Sequence, residues 1–215
     1  MKQLHVLLSR GIICSLISGF LPHTCASYYN PQNECWVYTP MDNTWTQAST
    51  MPRDVYGGST AFHPTWGLIM SGGYSSYDKW LITEDARVFE ELPELDYTTT
   101  SHCVAAVNDN MLFTTGEGRY QHYTYMYYRD TAEWVQLADL PAGGEYDGRY
   151  GMACGTVSVT GIDGSEQMEV VVAGGYDQDG DRLNSVLIFN IQDGIWRTGE
   201  CLVYFWYFTV AYRAG

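Results

Sequence analysis

Positive charge is scarce in this 215-residue chain. Eleven Lys and Arg stand against 25 Asp and Glu, a formal charge of −14. An acidic surface repels phosphate backbones and anionic lipid headgroups, so nucleic acid is not an expected partner. Histidine is sparse as well: His5, His23, His63, His102 and His122 are the full set. No Cys-x-x-Cys occurs, and no Cys/His group has zinc-ligand spacing. A Gly-x-Ser-x-Gly elbow, a phosphate-binding loop and a dinucleotide fingerprint are all missing. So is any Asn-x-Ser/Thr acceptor, and N-glycosylation is not expected. Apolar runs fall short of the ~20 residues a spanning helix needs, so no membrane span is expected in the mature chain. Helical periodicity of useful length is absent beyond the N-terminal segment, which excludes a helical fold.

What remains is aromatic and glycine-rich: 18 Tyr, 7 Trp and 22 Gly. Aromatic residues favour strands and Gly supplies turns, so a β-rich protein is expected. The first 26 residues have the form of a signal peptide. Lys2 and Arg10 supply charge, Gly11–Leu21 is the apolar core, and Thr24-Cys25-Ala26 is a small-residue cleavage pattern. Cleavage near Ala26 predicts a secreted protein. It leaves Cys35, Cys103, Cys154 and Cys201, whose pairing the sequence leaves open among three connectivities. Cys103 and Cys154 lie in apolar runs, where buried free thiols are an equal expectation.

Residues 27–34 are a polar entry, residues 35–200 carry an internal repeat, and residues 201–215 are an apolar tail matching no repeat. The repeat places an aromatic before a turn, then an alternating apolar run, then a Gly-containing strand end. Trp45, Phe89 and Trp134 open successive copies at offsets of 44 and 45 residues, and Trp196 follows. Pro52 to Gly72 spans 20 residues, as does Asp96 to Gly116; Pro141 to Gly174 spans 33. The 13 added residues fall in Ala142–Arg149 and Val159–Gln167. Short strands are expected at Cys35–Tyr38, Ser59–Phe62, Leu68–Ser71, Trp80–Thr83, His102–Val107, Met111–Thr115, Tyr123–Tyr128, Trp134–Leu137, Met168–Ala173 and Ser185–Asn190. Four short strands per ~45 residues describe the blade of a β-propeller, because one four-stranded sheet cannot bury both faces without a neighbour.

These residues resemble the kelch repeat. The doublets Gly72-Gly73 and Gly174-Gly175 each precede Tyr, and Trp45, Trp134 and Trp196 stand ahead of Met51-Pro52, Leu140-Pro141 and the chain beyond Glu200. Arg53 and Arg149 occupy the region where kelch repeats often carry Arg. The middle copy departs, with Gly116-Glu117-Gly118, Phe89 and Asp96. The resemblance implies an all-β kelch-type propeller with three full blades and two strands of another, an incomplete ring. The tail from Cys201 to Tyr212 is expected either as a truncated end or as a strand completing the N-terminal pair.

Kelch-type propellers are mostly binding platforms, which implies a non-enzymatic protein-binding module with no cofactor. Recognition is expected in the loops of unequal length: Gly57–Gly58, Glu117–His122, Ala142–Asp147 and Asp177–Asn184. Tyr120, Asp147, Asp177, Asp179 and Asp181 are the candidate binding residues. The run Asp177 to Asp181 has calcium-ligand types, but its Gly is fourth and no Glu stands at position twelve, so an acidic turn is expected. Glu90, Glu91, Glu94 and Asp96 are expected as a solvated edge. The alternatives are a fragment of a galactose-oxidase-like copper enzyme, or an intracellular kelch adaptor. Against the first, the three His outside the signal do not form a recognisable copper set.

Overall fold

Alternation of apolar and polar residues between turn-forming pairs yields short antiparallel strands in strict succession. The computed structural model describes residues 12–13, 36–39, 43–47, 59–63, 65–71, 79–82, 89–95, 101–114, 122–141, 148–161 and 164–200. Among the described residues four sheets follow one another. The first holds β1 (Ile12–Ile13), β2 (Trp36–Thr39) and β3 (Thr44–Gln47). The second is β4 (Ser59–His63), β5 (Gly67–Ser71), β6 (Lys79–Ile82) and β7 (Phe89–Glu91). The third is β8 (Cys103–Val107), β9 (Asn110–Thr114), β10 (Thr124–Tyr128) and β11 (Glu133–Gln136). The fourth is β12 (Ala153–Thr160), β13 (Glu166–Ala173), β14 (Val186–Asn190) and β15 (Ile195–Thr198). Each is an antiparallel meander in chain order. Among the described residues there is no helix.

The expected strands are present with boundaries shifted by one or two residues. One strand falls where a signal peptide, and not a strand, was expected. Ile12–Ile13, inside the apolar core assigned to the signal peptide, pairs with Trp36–Val37 and supplies the third strand of the first sheet. The residues added at Val159–Gln167 lengthen β12 and β13 to eight residues each, so their hairpin runs past β14.

The sheets stack through their first strands: β8 lies against β4 on one side and β12 on the other. Pairing registers set the repeat more finely than the sequence does. Ile82 faces Phe89, Tyr127 faces Trp134 and Phe189 faces Trp196. Following the ladders inward makes Ser59, Cys103 and Ala153 equivalent, and likewise Thr60, Val104 and Cys154. The second and third sheets enclose Ile69, Leu92, Leu95, Val104, Tyr125 and Tyr127. The third and fourth enclose a larger cluster including Ala105, Val107, Met126, Leu140, Val170 and Phe189. Leu95 and Leu140 each stand six residues after a repeat aromatic, and both are buried between their own sheet and the next.

The repeat Trp residues wedge between sheets. Trp134 packs on Tyr127 with ring centroids 5.1 Å apart, and Trp196 on Phe189 at 5.0 Å. Each indole N–H donates to a carbonyl of the preceding sheet's exit: Trp134 to Pro93 at 2.8 Å, Trp196 to Ala138 at 3.0 Å. Pro93 stands four residues after Phe89 and Ala138 four after Trp134, so the same bond is made twice in register. The Phe side chain at position 89 has no N–H to make it.

Two further links join first strands. Val104 N–H donates to Ser59 Oγ at 3.2 Å across the second and third sheets. At the equivalent position one sheet on, Cys103 is disulfide-bonded to Cys154, with Cα atoms 5.9 Å apart. That separation lies in the usual disulfide range. The pairing left open by the sequence is therefore settled for these two residues, and the free-thiol expectation is set aside. Cys35 and Cys201 lie outside the described residues.

Candidate binding surface

Strand direction sorts every connection to one of two ends. The β4–β5, β8–β9, β10–β11, β12–β13 and β14–β15 hairpins close one end. At the opposite end each first strand begins and the second and third strands are joined. The strands flanking Gly57–Gly58, Glu117–His122, Ala142–Asp147 and Asp177–Asn184 all meet those loops at this opposite end. The four loops of unequal length thus leave from one side of the scaffold. Tyr120 and Asp147 lie outside the described residues, as do Pro52, Gly72, Gly73, Gly116 and residues 201–215.

The loop after β13 is the most fully described part of this end. Gly174 and Gly175 have φ of 63° and 92°, conformations L side chains rarely adopt. A Cβ on Gly175 would sit 2.6 Å from the Tyr150 carbonyl oxygen, so only Gly fits. This close approach lets Tyr150 and Tyr176 exchange backbone bonds, N to O at 3.0 and 2.8 Å, and brings their rings together at 5.5 Å. Beneath them Arg149 is buried. Its Nη1 donates to the carbonyls of Gly174 (3.0 Å) and Ser185 (2.9 Å), and its Nη2 to Ser185 Oγ (2.6 Å). Burial lowers its pKa from the ordinary value to about 10. One side chain therefore ties together both ends of the loop and the approach to β12.

Within the loop Asp177 is spent on the backbone. Its Oδ1 accepts from the amides of Asp179 (3.1 Å) and Asp181 (2.8 Å), and its own N–H donates to Asp181 O at 3.0 Å. This is the turn an Asx side chain makes with its own backbone. Asp179 and Asp181 stay exposed, their backbone amides tied to Asp177 by that turn. The expected acidic turn is what the geometry shows. Among the described residues no group of three or more His, Cys, Asp or Glu converges as a metal set.

The three histidines serve different local structures. His63 is buried at the hairpin end. Its Nδ1 accepts from Thr65 N–H (3.2 Å), Thr65 Oγ1 (3.0 Å) and Trp66 N–H (3.3 Å), and its Nε2 bonds the Asn108 carbonyl in the next sheet's turn. His102 is buried at the loop end, with Nε2 2.6 Å from Ser71 Oγ. A Ser–His contact is the geometry of an activated nucleophile. Here Ser71 has no exposed surface and His102 is 4% exposed, so the pair ties β5 to the entry of β8. His122 is half-buried beside Tyr123, ring centroids 4.5 Å apart. Glu90, Glu91 and Glu94 are exposed along the outer edge, as expected of a solvated rim.

Sequence reasoning singled out Arg149 and the aspartates but missed the Tyr150–Tyr176 stack. The Gly-Gly-Tyr pattern marked Tyr176; nothing local marks Tyr150 as its partner.

No protein-family model matches the chain, and no curated protein matches it. Solved structures do. One, titled "Structure of YjhT", is 12% identical with a TM-score of 0.57, covering 78% of this chain and 52% of that one. The chain thus spans about half the length of that structure. At this identity the likeness concerns fold alone: an all-β array of antiparallel sheets consistent with a β-propeller.

Proposed function

We propose that the chain is a secreted kelch-type β-propeller protein that binds a protein partner through the loop end of its sheets. The observation that carries this reading is the braced Asp177–Asp181 turn, which presents Asp179 and Asp181 on the side where the unequal loops leave. Recognition commonly resides in loops fixed by a rigid scaffold. Two exposed carboxylates on a chain of charge −14 suit a basic protein surface. The repeated Trp-to-carbonyl bonds support the kelch reading. The Cys103–Cys154 bond supports folding in an oxidising compartment.

The test replaces Asp179 and Asp181 together with Ala. Purified wild type and variant are immobilised and exposed to the secreted proteins of the source cells. Loss of captured protein on the variant alone is expected; equal capture would place recognition elsewhere. Metal analysis of the same preparation separates the copper-enzyme alternative, which stoichiometric copper would favour. Intact mass of the secreted chain addresses the leader. Processing after Ala26 is expected, leaving β2 and β3 as the first sheet's strands.

A further inference from the structure

His63 is a polar residue at a place where the repeat otherwise puts an apolar one. Following the ladders inward from each repeat aromatic makes His63, Val107 and Val157 equivalent. Val107 packs in the core between the third and fourth sheets. His63 is buried as deeply, 2% exposed against 1% for Val107. An imidazole buried there is costly unless its nitrogens are paired. Both are, each to groups that fix where the proton sits. The backbone N–H groups of Thr65 and Trp66 point at Nδ1 and can only donate, so Nδ1 keeps its lone pair. The Asn108 carbonyl meets Nε2 and can only accept, so Nε2 carries the proton. These partners belong to two sheets: the β4–β5 hairpin of the second and the β8–β9 turn of the third. The neutral ring is the pin between them.

The charges around the ring come from three elements. Its own hairpin brings Trp66, stacked on it with ring centroids 4.5 Å apart. The β10–β11 turn brings Arg129, whose guanidinium lies 4.9 Å from the Trp66 ring centroid, with Asp130 exposed beside it. A second cation on the same indole is repelled by the first. The β8–β9 turn brings Asp109, exposed next to Asn108. Tyr127 on β10 meets Trp66 edge-on, and Glu90 on β7 acts on Tyr127 together with Arg129. Among the described residues the hydrogen bonds of His63 go to Thr65, Trp66 and Asn108, none of them a carboxylate that could hold a charged ring.

We propose that His63 is an acid-sensitive latch at the hairpin end, holding the β4–β5 hairpin to the β8–β9 turn while neutral and releasing it when protonated. A proton added at Nδ1 sets an N–H against two backbone N–H groups. Only Thr65 Oγ1, 3.0 Å away, can turn to accept it. The two amides then lose their acceptor inside the junction. The closed hairpin takes the neutral ring and the open one takes either form. Opening therefore binds a proton, and a fall in pH favours it. His102 ties the same two sheets at the loop end, but its Ser71 partner is a hydroxyl, which donates or accepts. That link keeps a partner in either charge state. Acid thus loosens the junction from the hairpin end first. The latch is separate from the loop end, so the two proposals stand or fall independently.

The test is NMR of the full chain at about pH 7.5 and 5.5, across the range where histidine changes charge. Ring nitrogen shifts report the tautomer, and amide exchange, corrected for its intrinsic pH dependence, reports opening. His63→Val, the residue of the two equivalent positions, is the variant without a titrating ring; His102 and His122 remain in it. At the higher pH the wild type should show a neutral ring with its proton on Nε2. At the lower pH the ring should charge, and protection at Thr65 and Trp66 should fall at least ~10-fold relative to Cys103–Val107, about one hydrogen bond's net contribution. In the variant the ratio of hairpin to Cys103–Val107 protection should not change with pH. A ring that charges with Thr65 and Trp66 still protected overturns the proposal, as does a ring neutral at both values. An equal fall in the variant overturns it too. Should the variant not fold, the two wild-type readouts decide by themselves.

Discussion

Replacing Cys103 and Cys154 together with Ala removes the covalent tie between the first strands of the third and fourth sheets. The two residues are 51 apart in sequence. Closing a loop of that length in the unfolded chain removes entropy equivalent to ~4 kcal/mol at 25 °C. For a domain of this size each kcal/mol moves the melting temperature by roughly 2–4 °C, so a fall of about 8–15 °C is expected. The structure supplies an internal control. Ser59 occupies the position equivalent to Cys103 and makes the same inter-sheet link as a hydrogen bond to Val104. Ser59→Ala should cost only about 1 kcal/mol. The assay is differential scanning calorimetry of wild type, both variants, and wild type with reductant, after peptide mapping under non-reducing conditions. Reductant should reproduce the double variant in the wild type and do nothing to the variant. Two free thiols in the native protein, or a double variant that melts with the wild type, would refute the staple.

Three further outcomes are expected. Trp134→Phe and Trp196→Phe keep the wedged ring but delete the bond to the preceding sheet, costing about 0.5–1.5 kcal/mol each in urea unfolding; Trp134→Ala should cost about 3 kcal/mol or more. Gly175→Ala drives a Cβ into the Tyr150 carbonyl and should cost well over 2 kcal/mol, whereas Gly164→Ala, with φ of 81° and open space around it, should cost only the ~1–2 kcal/mol of a left-handed backbone. Burial raises the pKa of Tyr127, with Arg129 opposing and Glu90 adding to the shift. Because its folded pKa exceeds the unfolded value near 10, the stability tied to it is complete below pH 10 and is lost as pH rises through the folded value. Tyr127→Phe should therefore flatten the alkaline fall in stability, read by unfolding at pH 8 to 11.

Most strands were legible because each needs only local information: alternation, a turn pair, a Gly at the end. The turn at Asn108-Asp109 is an example, with Asn108 taking the positive φ (50°) that Asn tolerates. The glycine pattern was half legible. The sequence shows doublets in two copies and an irregular middle one. The ladders align Gly73, Gly116 and Gly175, so the second glycine is kept in all three copies and the first, Thr115 in the middle copy, is the dispensable one. Contact with the Tyr150 carbonyl explains the second glycine of the last copy, and no one-dimensional pattern could. The disulfide, the His63 link to Asn108 and the Arg149 acceptors were hidden for the same reason. Each joins residues 25 to 51 positions apart, and their geometry exists only after the sheets stack. At the candidate site, acidity and loop length were visible in advance. That Asp177 would brace the turn, leaving Asp179 and Asp181 to face outward, depends on backbone hydrogen bonds and was not.

The central claim is that recognition belongs to the loop end and not to the hairpin end. Two charge-matched variants decide it: Asp179→Ala/Asp181→Ala at the loop end, and Asp130→Ala/Glu133→Ala, exposed in the β10–β11 turn and at the start of β11, at the opposite end. Captured partner should be lost with the first and kept with the second. Loss with the second alone, or equal loss with both, would contradict the account.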